Sequence, residues 1–170
     1  MPAPTIEDRL RRSKRSAVHL EMRDGYMRSD PRFIAWQTGA QEAADTSHRP
    51  WLDLISEVTA AGVAVRRVRI ISEPASDYIR WEHSLTDANV DAGEHVRWLP
   101  RRQASDLLLP GNDYWLFDDE VALFLHFDGD GELAPDDEEE VTDPGVVDSC
   151  AAAFEAAWVR GVAHADYHLL

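Results

Sequence analysis

The spacing of apolar side chains along the chain predicts an alternation of helices and strands. Alternate apolar residues such as Val18 and Leu20 are typical of a strand with one buried face. Apolar residues three and four positions apart, such as Trp51, Leu54 and Val58, are typical of an amphipathic helix. Together with capping and breaking residues, these spacings predict helices at 5–15, 31–38, 47–61, 76–85 and after Pro144, and strands at 17–22, 63–71, 95–99, 114–117 and 121–127. The pattern favours an α/β or α+β fold, in which helices cover a mixed or partly antiparallel sheet of four to five strands.

Two segments depart from this pattern within the single domain expected over residues 1–170. Residues 1–16 place basic side chains at the end of a short helical stretch and are predicted to form an N-terminal basic helix or arm. Residues 128–143 contain almost no apolar side chains and are predicted to be a flexible acidic loop inside the domain. The acidic residues expected to face a basic partner are Asp136, Asp137, Glu138, Glu139 and Glu140.

Composition and charge narrow the function classes. The chain is 44% hydrophobic and has a net charge of -15, and from Gly111 onward it carries 16 acidic residues and one basic residue. Because nucleic-acid affinity depends on Lys and Arg neutralising phosphates, direct binding to nucleic acid is disfavoured. The longest apolar run, 121–127, is far below the roughly 18 residues of a membrane helix. One cysteine, Cys150, agrees with a reducing compartment. We therefore expect a cytoplasmic protein that does not bind membranes, and the oligomeric state stays open.

Arginine is concentrated in the middle of the chain. The cluster consists of Arg66, Arg67, Arg69, Arg80, Arg97 and Arg101. Because a strand arginine is costly to bury unless it is paired, nearby carboxylates are its candidate partners: Glu73, Asp77, Glu82, Glu94 and Asp113. One interpretation is a closed ionic network that fixes how helix and strands dock. The other is an open pocket for a phosphorylated or carboxylated small molecule, in which His83, Glu82 or Asp118 would serve as acid or base if the protein is an enzyme.

Signals for metals and for catalysis are weak. The weak metal candidates are Asp128, Asp130, Glu132, His164, Asp166 and His168. The first three match part of a calcium loop, but Leu133 stands where the sharp turn of that loop needs glycine. The last three lack a fourth ligand for zinc. The sequence contains no nucleophile elbow, no glycine-rich phosphate loop and no Cys-x-x-Cys. We therefore predict no catalytic residue, no cofactor and no metal.

Several sequence strings carry a resemblance to a known family. They are HLEMRD at 19–24, VRRVRIISEP at 65–74, DYIRWEH at 77–83, GEHVRWLPRR at 93–102, LPGNDYWLFDD at 109–119 and HFDGDG at 126–131. These strings resemble an uncharacterised actinobacterial domain family and cover nearly the whole chain. The resemblance implies a small cytoplasmic protein that is commonly encoded beside helix-turn-helix transcriptional regulators in Streptomyces-like organisms, with no activity assigned to the family.

A more remote resemblance concerns the order of elements. A Gly-Val-x-Val-Arg strand, a helix, a Val-Arg-Trp strand and a Trp-Leu-Phe-Asp-Asp hairpin are similar to half of a phospholipase D-like domain, of the sort that some regulators use for ligand sensing. That superfamily has a catalytic His, a Lys two residues on and a downstream Asp. Here the only lysine is Lys14, and His126 is followed by Phe127 and Asp128. The resemblance therefore implies the fold and not a phospholipase D mechanism.

These observations leave three functional hypotheses. The preferred one is a non-catalytic interaction or sensing module that acts with a helix-turn-helix regulator, whose basic surface would meet the acidic part of this chain. The second is an enzyme or binding protein for a phosphorylated or carboxylated small molecule, held by the arginine cluster. The third is a nucleic-acid mimic formed by the acidic C-terminal third.

Overall fold

The centre of the protein is a seven-stranded mixed sheet, seen in a computed structural model that describes residues 3–40 and 48–170. Its strands are β1 (Ser16–Glu21), β2 (Ala64–Ile71), β3 (His95–Pro100), β4 (Tyr114–Phe117), β5 (Val121–Phe127), β6 (Leu133–Val141) and β7 (Val162–Ala163). Their order across the sheet is β6-β5-β4-β1-β2-β3-β7. Strands β1, β2 and β3 are parallel, and every other neighbouring pair is antiparallel. The mixed character is as predicted, but the number of strands is not.

Helices cover both faces of this sheet. They are α1 (Ile6–Arg12), α2 (Pro31–Gln37), α3 (Arg49–Ala60), α4 (Asp77–Asp91) and α5 (Pro144–Arg160). Helix α5 packs on one face through a core that includes Val18 and Phe154. On the other face, α1 and α3 form one apolar cluster with the sheet, and α2 and α4 form a second. The boundary between these two clusters, in the middle of the sheet, positions the site described below.

Parts of two predicted segments lie outside the described residues. These are Ser47, the expected start of the third helix, and the first two residues of the segment 1–16. The rest of that segment forms α1 and the start of β1. Thr5 caps α1 through a reciprocal hydrogen-bonded capping box, and Leu10 is fully buried against α3. The N-terminal segment is therefore a docked helix rather than an arm.

The prediction of a flexible loop at 128–143 is wrong for most of its length. Residues Leu133–Val141 form β6, which pairs antiparallel with β5. Most of the β6 side chains are exposed or only half-buried, so the strand has no apolar alternation to reveal it. An edge strand of this kind depends on backbone pairing, which a hydrophobic pattern does not report. Together with the two-residue β7, it raises the strand count from the expected four or five to seven.

The predicted hairpin between β4 and β5 is confirmed, and its turn also holds the start of β1. Asp118 and Asp119 have positive φ angles of 53° and 57°, as a tight two-residue turn requires. The Asp118 carboxylate accepts the backbone N–H groups of Lys14, Arg15 and Ser16 at 2.8, 2.7 and 2.9 Å. Partial burial opposes ionisation, but these hydrogen bonds outweigh it and lower the pKa of Asp118. Asp118 thus anchors the chain, and it does not line the cleft described below.

Candidate ligand-binding site

A row of charged and polar side chains crosses the sheet between the two apolar clusters. Because alternate residues of a strand share a face, His19 and Glu21 lie together on β1, and Arg67 and Arg69 lie together on β2. The parallel register places His19 beside Arg67 and Glu21 beside Arg69. All four residues are at least nine-tenths buried. The centre of this sheet face is therefore ionic rather than apolar.

Carboxylates neutralise the two arginines. Arg67 donates from Nε to Glu94 Oε1 at 2.5 Å and from Nη1 to Glu21 Oε1 at 2.7 Å. Arg69 donates from Nε to the other Glu21 oxygen at 2.9 Å and from Nη1 to Thr86 Oγ1 at 2.6 Å. Burial would raise the pKa of Glu21, but the two guanidinium groups lower it to about 2. We call these residues the buried ionic network.

His19 stands out because neither of its ring nitrogens has a hydrogen-bond partner among the described residues. Nδ1 lies 3.7 Å from Glu21 Oε1, which is too far for a hydrogen bond, and the ring packs on Trp115 with centroids 4.2 Å apart. Burial and the neighbouring arginines lower the pKa of His19 to about 3, although Glu21 opposes this. The imidazole is therefore neutral at pH 7, with one donor and one acceptor unused.

Two further carboxyl groups beside the network are harder to ionise. Glu82 of α4 places Oε1 3.4 Å from Arg69 Nη2, whereas its Oε2 is buried without a partner among the described residues. Burial raises the pKa of Glu82 to about 7. Asp113 accepts the hydroxyl of Tyr26 and the backbone N–H of Met22, and burial raises its pKa to about 6. Both groups therefore change charge close to neutral pH.

A cleft with two lobes opens over these groups. The aromatic lobe, of about 310 Å³, lies over Arg67 and Arg69 between Trp51, Trp81, Trp115 and Tyr78. The acidic lobe, of about 300 Å³, is lined by Glu21, Asp113, Asp137, Glu138, Tyr26 and Phe127. His19 and Glu82 line both lobes, so the two spaces meet at the unpartnered polar atoms. Each lobe has the volume of a small-molecule site.

The structure divides the predicted arginine cluster among several places. Only Arg67 and Arg69 lie beneath the cleft. On the opposite face, Arg66 pairs with Glu155 at 2.6 Å, and Arg97 lies over the Trp158 ring at 4.3 Å. Arg80 donates to the backbone carbonyl of Leu170. Arg101 donates to the backbone carbonyls of Met22 and Ile70 and lies 3.5 Å from Asp24.

Among the predicted carboxylate partners, Glu82 and Glu94 are the ones that meet an arginine of the cluster in the described part of the chain. Glu73 instead accepts the Tyr167 hydroxyl, and Asp77 accepts the Gln37 amide. Asp113 accepts hydrogen bonds from the Tyr26 hydroxyl and from the backbone N–H of Met22. Sequence reasoning missed Glu21, which bonds to both Arg67 and Arg69, and it also missed His19. Alternation in the strand 17–22 would have placed His19 and Glu21 on one face.

The acidic residues of β6 are only partly available to a partner. Glu140 pairs with Arg9, and Glu139 lies 3.0 Å from His126. Asp137 and Glu138 line the acidic lobe, while Asp136 is exposed. The predicted partner-facing surface is therefore a strand edge, and part of it belongs to the cleft.

The weak metal candidates serve other purposes. Asp128 accepts the backbone N–H groups of Asp130 and Glu132 in a turn. His164 accepts the Trp98 indole at 2.9 Å and lies 3.0 Å from Asp87. Asp166 and His168 are exposed near the C-terminus. In the described residues, no three His, Cys, Asp or Glu side chains are arranged to hold a metal ion.

The strand order and helix placement define the phospholipase D-like class of fold. Nuc from Salmonella typhimurium, a phospholipase D family member, superposes with a TM-score of 0.54 at 10% identity, covering 92% of this chain and 86% of that one. NucT from Helicobacter pylori gives a TM-score of 0.51 at 10% identity, covering 92% and 87%. At such identity the likeness concerns the fold alone. The chain itself belongs to the family described as Domain of unknown function (DUF6879), whose model matches residues 4–169.

No curated protein matches the sequence. Among the described helices, none has both the length and the apolar character needed to cross a membrane.

Proposed function

We propose that this chain is a non-catalytic sensing module that binds a small organic molecule in the two-lobed cleft. The observation that carries the proposal is the group of unpartnered buried atoms at the junction of the lobes: both ring nitrogens of His19 and Oε2 of Glu82. Leaving a buried polar atom without a hydrogen bond costs about 1–3 kcal/mol. A ligand that hydrogen-bonds to these atoms would offset that cost. It would lie over the buried ionic network, whose side chains are already held by hydrogen bonds.

The chemistry of the lining favours binding over catalysis. Among the described residues that line the two lobes there is no Ser, Thr, Cys or Lys to act as a nucleophile. His19 has a pKa of about 3 and is a poor general base at neutral pH. Glu82 lines both lobes, and its pKa of about 7 suits a general acid or base, but none of the nucleophile types named above accompanies it among the described lining residues. Of the other acid–base candidates, Asp118 belongs to the β4–β5 turn. His83 packs against Trp98 and His164 rather than lining the cleft.

The arginines also give little support to the alternative of an anion pocket. Arg67 and Arg69 already bond to Glu21, Glu94 and Thr86. A phosphate or carboxylate would have to compete with these buried carboxylates and would stand beside them. We therefore favour a ligand recognised through aromatic surface and hydrogen bonds.

A screen of small organic fragments by ligand-observed NMR tests whether the cleft binds ligands. We expect fragments to bind the wild-type protein with millimolar or better affinity, and we expect Ile6→Trp to abolish binding because Ile6 lines both lobes. Ile34→Trp is the matched control, since Ile34 is 45% exposed on α2 and does not line the cleft. The absence of hits, or hits that persist in Ile6→Trp, would contradict the proposal.

We further propose that the partner of the module is a helix-turn-helix regulator. The family resemblance supports this, and so does the acidic edge at β6, which can attract a basic surface through complementary potentials. A pull-down at low salt with the regulator encoded beside the gene is expected to retain the regulator, and raising the salt to about 0.5 M is expected to release it. An empty pull-down at low salt would count against the partnership. Competition by DNA for the same regulator surface would favour the nucleic-acid mimic instead.

A further inference from the structure

We infer that the ligand of the cleft is a small organic cation, namely a protonated amine attached to a flat aromatic ring. This inference rests on the proposed function, because it names the chemical class of ligand that the proposed cleft takes. It differs from the phosphorylated or carboxylated molecule that the sequence offered as an alternative.

The first step is the balance of charge around the cleft. Of the described residues that line the two lobes, Arg67 and Arg69 carry guanidinium groups, and five carry carboxyl groups: Glu21, Glu82, Asp113, Asp137 and Glu138. Carboxyl groups therefore outnumber guanidinium groups by five to two in this lining. The field in the cleft therefore attracts cations whenever these carboxyl groups are ionised.

The histidines do not change this balance. His19 has a pKa of about 3 and is neutral at physiological pH. His48, in the aromatic lobe, places Nε2 2.8 Å from Nη1 of Arg32. Even a charged His48 would leave five carboxyl groups against three cationic groups in the described lining.

The second step is the position of the unused acceptor. Oε2 of Glu82 has no partner among the described residues, and Glu82 lines both lobes. An ammonium group carries only donors and satisfies such an acceptor, whereas a phosphate or carboxylate would place acceptor against acceptor. The neutral imidazole of His19, whose side chain is 92% buried, offers a second acceptor at the same junction. The ammonium group is thus placed where the two lobes meet.

The third step is the shape of the aromatic lobe. Trp51, Trp81, Trp115 and Tyr78 surround a space of about 310 Å³ next to Glu82. Aromatic walls favour flat apolar groups and also stabilise a cation that lies near their faces. A ring in this lobe and an ammonium group at Glu82 would satisfy both features with one molecule.

Isothermal titration calorimetry with matched probes tests this inference. The probes are tryptamine, 3-methylindole and indole-3-propionate, which carry the same ring with a cationic, a neutral and an anionic substituent. We expect tryptamine to bind at least tenfold more tightly than the other two at pH 8. We also expect its affinity to fall about tenfold between pH 8 and pH 5.5, because Glu82 and Asp113 then take up protons.

Two substitutions at glutamate sharpen the test. Glu82→Gln is expected to weaken tryptamine binding at least tenfold and to remove most of its pH dependence, while leaving 3-methylindole unchanged within a factor of two. Glu57→Gln is the control, since Glu57 is exposed on α3 and pairs with Arg11 outside the cleft.

Each outcome of these titrations has one meaning. Equal or tighter binding of indole-3-propionate would overturn the cation inference, and so would full tryptamine affinity in Glu82→Gln. If no probe binds but uncharged or anionic fragments from the NMR screen bind and are lost in Ile6→Trp, the inference about cations fails and the proposed function stands. If no fragment of any charge binds, the proposed function fails as well.

Discussion

Replacing Arg67 with alanine is expected to lower the free energy of unfolding by about 3–5 kcal/mol, because it leaves the buried Glu94 without its guanidinium partner and Glu21 with Arg69 alone. Glu94 has a fully buried side chain, and Glu21 is 7% exposed. Burial limits how far solvent can replace the lost guanidinium donors. Urea denaturation at pH 7 followed by circular dichroism measures the effect.

Arg66→Ala provides the matched control for this substitution. Arg66 is the next residue along the same strand but lies on the opposite face, where it pairs with the half-exposed Glu155. Exposed pairs of this kind contribute less than about 1 kcal/mol. Losses of similar size in Arg66→Ala and Arg67→Ala would contradict the buried ionic network as described. Adding Glu94→Gln to Arg67→Ala should recover part of the loss, since one of the unpaired charges is then removed.

Most of the elements could be predicted from the sequence because they follow simple hydrophobic patterns. The segment 63–71 is rich in β-branched residues after a helix that ends at Gly62, and it forms β2 as expected. The strand at 17–22 and the hairpin around Asp118 were likewise found, since alternation and turn residues are local signals. Strand β6 escaped detection because its side chains face solvent on both sides.

The candidate site was harder to predict because its parts come from distant segments. Because successive residues of a strand face opposite sides of the sheet, Arg66 lies on one face of β2, and Arg67 and Arg69 lie on the other. The arginine cluster predicted from the sequence is therefore divided between the two faces of the sheet. Glu21 precedes Arg67 by 46 positions, and only the register of β1 against β2 brings them together. Local proximity in sequence instead suggested Glu73 and Asp77, which the β2–α4 connection carries to other partners.

The buried ionic network agrees better with the proposed function than with a phosphate site on a phospholipase D-like fold. The single lysine of the chain, Lys14, precedes β1, and its backbone N–H donates to Asp118 in the β4–β5 turn. The central arginines Arg67 and Arg69 are paired with Glu21 and Glu94. Among the described residues, Oε2 of Glu82 and the ring nitrogens of His19 are left without a hydrogen-bond partner. In the proposed function, the fold supplies the position of the cleft, and these residues set the ligand chemistry.

Replacing Glu82 with glutamine is expected to make the protein more stable at pH 8 by about 3 kcal/mol, with the gain disappearing below pH 4.5. Burial raises the pKa of Glu82 from 4.5 to about 7 in the folded protein, although Arg69 opposes this. Between these values the folded state binds more protons than the unfolded state, so the Glu82 contribution to the free energy of unfolding of the wild type falls as the pH rises from 4.5 to 7. Each pKa unit corresponds to about 1.4 kcal/mol, and the attraction of Arg69 is already contained in the net shift.

The free energies of unfolding of the wild type and Glu82→Gln are measured across pH 4 to 8. Asp113, with its raised pKa, and Glu21, with its lowered pKa, titrate in both proteins, so the difference contains the contribution of Glu82 and its electrostatic coupling to these two groups. Glu57→Gln, on the exposed face of α3, should show no pH-dependent difference from the wild type. A Glu82→Gln variant that is less stable than the wild type at pH 8 would show that Glu82 is a structural partner of Arg69. A variant that is more stable but loses tryptamine would show that the carboxylate is kept for binding, at the expense of stability.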